Sequence, residues 1–395
     1  MKRLFSGVLV IVLLFCGSIG LIPAQAADAL SGTCGVDLTW TLENGTLTIS
    51  GTGNMQSYQA YNMGYFPESV PPIAPWFDAR DDIRSVVIRE GVTSIGNGAF
   101  GYCENLQTVT LPQTLTRIGT GAFYDCRSLD NVQIPRSVTD ISRCVFIRCG
   151  KVFVDADNPA YAGGEDGLLY SKDRTELLHY PANHPQTSFS IPESVRKVEE
   201  FAFEGCEFLK TLTVPKTLES AAYAFFCCLS LQSVIVEEGV KVIERNMFYG
   251  CRNLRSVTLP DGLEAIEAFA FCYTALEYLH IPSSVTQIDP FYDNAEDLFS
   301  DKNALRNDLP YMRRFYICSD SADCAAAEFA EENQYRFYVC NGKHSDQTAR
   351  LHNSVASCLL YVLRDDARMT KLLSALIKKL GTVLKSFPGP QGAAG

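Results

Sequence analysis

Cysteine and histidine are the residue types in this chain that could carry nucleophilic, redox or metal chemistry, and their spacing separates these roles. The sequence has fifteen cysteines and five histidines. Cys103, Cys126 and Cys149 are 23 residues apart, and the same interval separates Cys228 from Cys251. A cysteine that returns once per repeat indicates a packing position, because a thiol behaves as a small buried hydrophobe. We therefore interpret the regular series as structural.

The histidines form no motif typical of catalysis or metal binding. His179 and His184 are five residues apart across Pro181, which predicts a surface loop rather than a metal site. The adjacent Cys227 and Cys228 lack the C-x-x-C spacing of redox motifs. No H-E-x-x-H, G-x-S-x-G, P-loop or dinucleotide-binding motif occurs. The sequence thus predicts no catalytic residue, no metal site, no cofactor and no enzyme.

Three cysteines lie outside the regular series, namely Cys318, Cys324 and Cys340. A disulfide such as Cys318–Cys340 is one interpretation, for an oxidising compartment. Buried thiols are the alternative, and the sequence leaves both interpretations open.

A repeat of 23 residues positions the regularly spaced cysteines. Residues 106–126 read LQTVTLPQTLTRIGTGAFYDC, and residues 129–149, 231–251 and 254–274 follow the same pattern. The V-x-I triplet alternates as a half-buried strand does, and the following proline ends the strand. One coil cannot bury both of its faces, so the coils must stack. The sequence predicts a mainly β solenoid with 23-residue coils.

The stretch from about 155 to 187 departs from this rhythm. Asn158-Pro159 and Gly163-Gly164 indicate turns, and Leu168-Leu169-Tyr170 indicates a short strand. We predict a hairpin inserted into the solenoid.

The repeated IPxxVxxIGxxAFxxC unit resembles the BspA-like leucine-rich-repeat proteins of bacterial cell surfaces. The interruption DNPAY…DGLLYSKD…L..YPA and the entry segment SGTCGVDLTWTLENGTLTISGTGNM, followed by APWFD, carry the same resemblance, which covers about Ser31 to Val339. It implies an exported leucine-rich-repeat solenoid used as an adhesin or recognition surface, without one shared ligand. Cys144, Val145 and Ala221-Ala222 depart from the unit, so distortion is expected in those coils.

The chain divides into five predicted segments. Residues 1–26 read as a signal peptide, with a lipoprotein signal at Cys16 as the alternative. Residues 27–78 are predicted as an N-terminal β cap, because Asn44-Gly45 between two alternating runs is a strong hairpin signal. The solenoid is expected over 79–292, an α+β C-terminal cap over 293–343, and a helical amphipathic tail over 344–395.

The tail combines helical apolar spacing with basic charge. The segment from Met369 carries four lysines and no acidic residue. Contact with an anionic membrane surface, self-association and docking on the chain's own acidic solenoid are three open roles. The formal net charge of −11 argues against a nucleic-acid partner. The tail residues predicted to make membrane or self-association contacts are Leu372, Leu376, Lys378, Lys379, Leu380, Val383 and Leu384.

A ligand-binding face is predicted where the strand positions point outward. The residues there are mostly hydroxyl-bearing and uncharged, which suits a glycan or an extended polypeptide, although Ser and Thr are also simply good strand residues. The predicted face comprises Thr108, Thr110, Gln133, Thr211, Thr213, Ser233, Ser256, Thr258, Tyr278 and His280.

The sequence therefore predicts an exported protein, extracellular or on the cell surface, that recognises a protein or glycan through this face. The alternative is a structural surface or matrix protein that self-associates through its C-terminal helices.

Overall fold

The computed structural model describes residues 30–58, 73–289, 316–332 and 336–340. The predicted signal peptide and the predicted tail lie outside these residues. A 3-10 helix covers Phe77–Asp82, and helix α1 covers Ala325–Glu332. In chain order the strands are β1 (Leu30–Thr33), β2 (Asp37–Glu43), β3 (Thr46–Asn54), β4 (Ser85–Ile88), β5 (Val92–Ile95), β6 (Thr108–Thr110), β7 (Arg117–Ile118), β8 (Asn131–Ile134), β9 (Asp140–Ile141), β10 (Lys151–Val154), β11 (Tyr161–Gly163), β12 (Leu169–Ser171), β13 (Glu176–His179), β14 (Ser188–Ser190), β15 (Lys197–Val198), β16 (Thr211–Val214), β17 (Ser233–Val236), β18 (Val242–Ile243), β19 (Ser256–Thr258), β20 (Ala265–Ile266), β21 (Tyr278–His280), β22 (Gln287–Ile288), β23 (Tyr316–Ser319) and β24 (Arg336–Val339).

Two series of parallel strands build the solenoid, which confirms the predicted mainly β solenoid fold. The V-x-I triplets form the front strands, which are β4, β6, β8, β10, β14, β16, β17, β19 and β21. The next V-x-x-I segment of each coil forms the shorter return strands, which are β5, β7, β9, β15, β18, β20 and β22. Ser85 is opposite Thr108 and Ser233 is opposite Ser256, so each neighbour is one coil away.

The predicted N-terminal hairpin is present. Strands β2 and β3 pair antiparallel around Asn44 and Gly45, whose φ angles of 50° and 77° suit the tight turn that Asn-Gly favours. Strand β3 then pairs in parallel with β4, with Thr46 opposite Ser85. The hairpin therefore covers the backbone edge of the first coil.

An aromatic spine fills the interior. The A-F motif of each coil places one ring on the ring of the next coil, and the separations between ring centroids are 4.6–5.8 Å. These rings are almost completely shielded from solvent. The spine runs in two segments, Trp76–Phe100–Phe123–Phe146 and Tyr180–Phe203–Phe225–Phe248–Phe271.

The regularly spaced cysteines occupy buried packing positions, as predicted, and their thiols also make hydrogen bonds. The Sγ of Cys126 donates to the carbonyl of Phe100 at 3.1 Å, and Cys251 donates to Phe225 at the same distance. Each thiol thus reaches the aromatic residue of the preceding coil. Burial raises the pKa of Cys103 to about 12, so this thiol stays protonated at neutral pH.

The insertion is a three-stranded antiparallel sheet, which has one strand more than the predicted hairpin. Strands β11, β12 and β13 pair in sequence, and β13 then pairs in parallel with the return strand β15. The buried Asn158 side chain anchors the entry to the insertion, because its Nδ2 donates to the carbonyls of Pro135 and Val138. Its Oδ1 accepts from the backbone N–H groups of Ala160 and Tyr161.

The prediction that His179 and His184 lie on a surface loop is wrong, because both side chains are buried. The Nε2–H of His179 donates to the carbonyl of Gly150 at 2.8 Å, and its ring lies 6.0 Å from that of Phe146. The Nδ1 of His184 accepts from the hydroxyl of Tyr180 at 3.1 Å. The two histidines fill the space where the insertion replaces part of a coil.

Charged side chains also connect the coils before the insertion with the coils after it. Arg148 lies before the insertion and Glu204 after it, with 2.9 Å between Nη2 and Oε1. Arg148 also approaches the buried carboxylate of Asp125 at 3.5 Å, and Arg127 reaches the same carboxylate at 2.8 Å. Burial raises the pKa of Glu204, whereas Arg148 acts in the opposite direction. This network crosses the point where the repeat is interrupted.

Strands and a helix follow the last coil. Strand β23 pairs in parallel with β21, with Tyr278 opposite Tyr316, and β24 pairs in parallel with β23. Helix α1 buries Ala326, Phe329 and Ala330 against the core. The short helix and strand predicted near residues 325–339 are therefore present.

Removal of one ring from the aromatic spine should destabilise the protein strongly. Phe225 is fully buried and contacts Phe203 and Phe248 at centroid distances of 4.8 and 5.3 Å. We expect Phe225→Ala to lower the free energy of unfolding by about 3–5 kcal/mol, measured by chemical denaturation. Phe208→Ala is the control, because Phe208 is 45% exposed. An equal loss in both variants would contradict the structural role of the spine.

His179 should make stability depend on pH. Burial lowers the pKa of its imidazole to about 4, whereas the unfolded chain has a value near 6.5. Between these values the unfolded state binds a proton that the folded state does not, so stability falls as pH drops from about 6.5 to about 4. The loss should approach about 3 kcal/mol. The measurement is chemical denaturation at pH 7 and at pH 4. Between these pH values, the free energy of unfolding of the His179→Gln variant should fall by about 3 kcal/mol less than that of the original chain. Identical losses in both proteins would refute this assignment.

Candidate functional site

The candidate ligand face lies on the front strands. All ten of its predicted residues are described, and they lie on β6, β8, β16, β17, β19 and β21. Because strand side chains alternate, the outer residues of each V-x-I triplet enter the core and the middle residue points outward. The exposed members are Thr108, Thr110, Gln133, Ser256 and Thr258, and the half-buried members are Thr211, Thr213, Ser233, Tyr278 and His280.

Register aligns these side chains in rows that cross the strands. Thr211, Ser233 and Ser256 form one row on β16, β17 and β19. Thr213, Ile235 and Thr258 form the adjacent row. Ile235 is 46% exposed, so one apolar side chain lies among the hydroxyl groups. We call these six residues the hydroxyl patch.

Hydroxyl groups on this face contact each other across coils. The Oγ of Ser233 donates to Oγ1 of Thr211 at 3.1 Å, and Oγ1 of Thr108 donates to Oγ of Ser85 at 3.0 Å. These contacts orient the hydroxyl groups, and each hydroxyl oxygen can still accept a further hydrogen bond. They also show that part of the hydroxyl pattern stabilises the sheet itself.

The predicted face does not form one continuous ladder. Front-strand pairing is interrupted between β6 and β8 and between β19 and β21, and also between β10 and β14, where the insertion lies. Thr108, Thr110 and Gln133 lie before this break, and the hydroxyl patch lies after it. Tyr278 and His280 belong to the separate ladder of β21, β23 and β24.

A cleft of about 320 Å³ opens on the return side at the same break. Its wall contains Cys144, where the sequence departs from the glycine of earlier repeats, and this residue adopts φ of 59°. Three charged contacts line it: Lys197–Glu199 at 2.8 Å, Lys197–Glu176 at 3.5 Å and Arg143–Glu200 at 3.5 Å. The irregular Cys144-Val145 pair predicted distortion, but a repeat pattern alone could not indicate a cavity.

The chemistry of the cleft does not favour nucleophilic catalysis. Burial raises the pKa of Cys144 to about 12, and the nearby Glu200 and Glu199 carboxylates act in the same direction. The thiol therefore stays protonated at neutral pH, although a cysteine nucleophile must be a thiolate. The carboxylates contact Arg143 and Lys197, which balances much of the charge in the cleft.

One cluster among the described residues could hold a metal ion. His280, Cys318 and Cys340 place their ligand atoms within 4.8 Å of one another. The sequence shows the irregular spacing of these cysteines, but only strand pairing brings His280 beside them. Over the described ranges, no helix has the length and apolar character needed to cross a membrane.

Comparison with known families shows where this chain belongs. The model of the BspA type leucine rich repeat region matches residues 74–153 and 181–299 in six copies. A search of curated proteins gave no significant match. Among solved structures, the pneumococcal vaccine antigen PcpA is 17% identical, covers 79% of this chain and 98% of its own, and has a TM-score of 0.51. That likeness supports the solenoid fold.

Two further structures are similar at lower TM-scores. A leucine rich cell surface protein from Faecalibacterium prausnitzii A2-165 is 22% identical over 68% of this chain and 96% of its own, with a TM-score of 0.45. A leucine-rich repeat protein from Eubacterium ventriosum is 24% identical over 68% of this chain and 98% of its own, with a TM-score of 0.38. Because the repeat model matches half of the sequence, this chain belongs to the BspA-type leucine-rich-repeat family.

Proposed function

We propose that this protein is an exported binding protein, adhesin-like in use, that recognises a protein or glycan through the front face of its solenoid. The observation that carries the proposal is the hydroxyl patch, an uncharged surface held in register on three adjacent parallel strands. Export is inferred from the family and from the signal peptide predicted at residues 1–26.

The patch has the chemical properties that such ligands require. Hydroxyl groups donate and accept hydrogen bonds, so they can bind sugar hydroxyls or a peptide backbone. Ile235 offers an apolar surface beside Thr213 and Thr258. Because the strands stack at about 4.8 Å, the patch presents a regular row that an extended ligand can follow.

Rigid positioning supports binding further. Val234 and Val236 on either side of Ile235 are buried, and so are Leu212 and Val214 on either side of Thr213. A preorganised surface loses little conformational entropy when a ligand binds. The proposal is for recognition and not for catalysis.

Self-association through the C-terminal tail is the alternative function. The candidate contact residues Leu372, Leu376, Lys378, Lys379, Leu380, Val383 and Leu384 lie outside the described residues. Their basic amphipathic pattern also suits an anionic membrane surface. Under this alternative the tail joins copies or holds the protein at a surface, and the front face only solvates the sheet.

Arginine substitutions in the patch test the recognition surface. We expect Thr213→Arg with Thr258→Arg to weaken binding to a glycan or protein found in an array screen at least about tenfold, or about 1.4 kcal/mol. The new side chains would cover the row and add charge. Thr139→Arg with Thr286→Arg is the matched control, because these exposed residues precede return strands β9 and β22. Equal losses in both double variants, or no binding by the original chain, would contradict the proposal.

Removal of residues 344–395 separates the two functions. Under the proposed function, the shortened protein keeps its ligand affinity within about twofold, since the patch lies on β16, β17 and β19. Under the alternative, assembly measured by sedimentation velocity disappears with the tail. Loss of ligand binding in a folded, shortened protein would place the binding surface in the tail.

A further inference from the structure

Three parallel strands at the C-terminal end bring together residues that are far apart in the chain. His280 on β21 is opposite Cys318 on β23, and Cys318 is opposite Tyr338 on β24. Cys340 follows Tyr338 by two positions, which places it on the same face of the sheet, because strand side chains alternate. The cluster therefore connects the last coil of the solenoid with both strands that follow it.

The distances within this cluster suit a tetrahedral metal site. Nδ1 of His280 lies 3.2 Å from Sγ of Cys340 and 3.7 Å from Sγ of Cys318. Around a tetrahedral Zn²⁺, a sulfur and a nitrogen ligand are about 3.6 Å apart and two sulfur ligands about 3.8 Å apart. All three ligand atoms lie within 4.8 Å of one another. Small adjustments of the side chains would bring each atom to bonding distance from one central ion.

We propose that His280, Cys318 and Cys340 form a zinc-binding site that joins the last solenoid coil to strands β23 and β24. Thiolate and imidazole ligands favour zinc over magnesium or calcium, which prefer oxygen ligands. Two thiolates balance the charge of Zn²⁺, so the site is neutral and suits a largely buried position. A water molecule completes the tetrahedron.

Asp320 supplies the outer contact that such a site requires. Its Oδ2 lies 3.8 Å from Nε2 of His280. When Nδ1 binds the metal, Nε2 carries the proton, and a carboxylate that accepts a hydrogen bond from this N–H orients the ring. A small movement of the Asp320 side chain would bring its oxygen within hydrogen-bond distance. The His280 side chain is 22% exposed and that of Asp320 is 39% exposed, which leaves a route for the ion. Asp320 is therefore a positioning residue.

Metal binding is balanced by the release of two protons. Without an ion both cysteines are thiols. When Zn²⁺ binds, each thiol loses one proton to solvent and each thiolate forms one bond to the metal, with no change in oxidation state.

A disulfide between Cys318 and Cys340 is the competing use of the same atoms. The structure describes both residues as thiols. A disulfide would require neither His280 nor Asp320, yet both side chains converge on the cluster. A metal site explains why His280, Asp320 and the two cysteines lie together. A disulfide explains only the proximity of the two cysteines.

The test uses the full chain, reduced and freed of metal, and titrates it with Co²⁺ and then Zn²⁺. We expect one equivalent of Co²⁺ to bind with a thiolate-to-cobalt charge-transfer band, which Zn²⁺ then removes by displacement. Cys340→Ser should weaken binding at least about tenfold, since loss of even an outer partner of a ligand costs about 10–100-fold. Asp320→Ala should weaken it about tenfold.

Cys324→Ser is the matched control, because Cys324 belongs to the same C-terminal region but donates its Sγ–H to the carbonyl of Ser321. It should bind Co²⁺ like the original chain. The circular dichroism spectrum of each variant establishes that it is folded. Absence of the charge-transfer band, or equal affinity in the Cys340→Ser variant, overturns the proposal. A Cys318–Cys340 disulfide that forms in the presence of equimolar Zn²⁺, detected by mass spectrometry, also overturns it.

Discussion

The structure depends on the need of every coil to bury its two open faces against neighbouring coils. Each coil presents unpaired backbone groups and apolar side chains on both sides, and one coil alone can satisfy neither. The parallel ladders pair the backbone, and the aromatic spine fills the centre. The cysteine thiols add hydrogen bonds between coils, as in Cys126 to Phe100. Each coil is therefore stabilised mainly by the coils on either side of it in the stack.

The same requirement explains the irregular parts of the chain. At the N-terminal end, Trp76 stacks on Phe100 and its Nε1–H donates to the carbonyl of Ala99, so it serves as the first ring of the spine. Within the insertion, Tyr180 stacks on Phe203 at 4.6 Å. Its backbone N–H donates to Ala202, while that of Ala182 donates to Cys149. The insertion thus replaces a missing coil with its own backbone and rings.

A rigid stack also determines where functional chemistry can lie. Interior positions are committed to packing, so ligands must use outward side chains, the break in the ladder or the ends. The proposed recognition surface, the hydroxyl patch, lies at the first kind of position, and the cleft beside Cys144 lies at the second. The cluster of His280, Cys318 and Cys340 uses the third, where β23 and β24 follow the last coil. The three features therefore lie on one solenoid but at different kinds of position.

The repeating sequence by itself determined the coil length, the front strands, the spine rings and the buried cysteines. It could do so because the contacts of these residues recur at one sequence separation, which a period of 23 residues reveals. Tertiary structure alone decided the burial of His179 and His184, the cleft, and the approach of His280 to Cys318 and Cys340. Those contacts join segments that have no common period, so no pattern in the sequence marks them. They form because stacking places the ends of non-repeating segments beside particular coils.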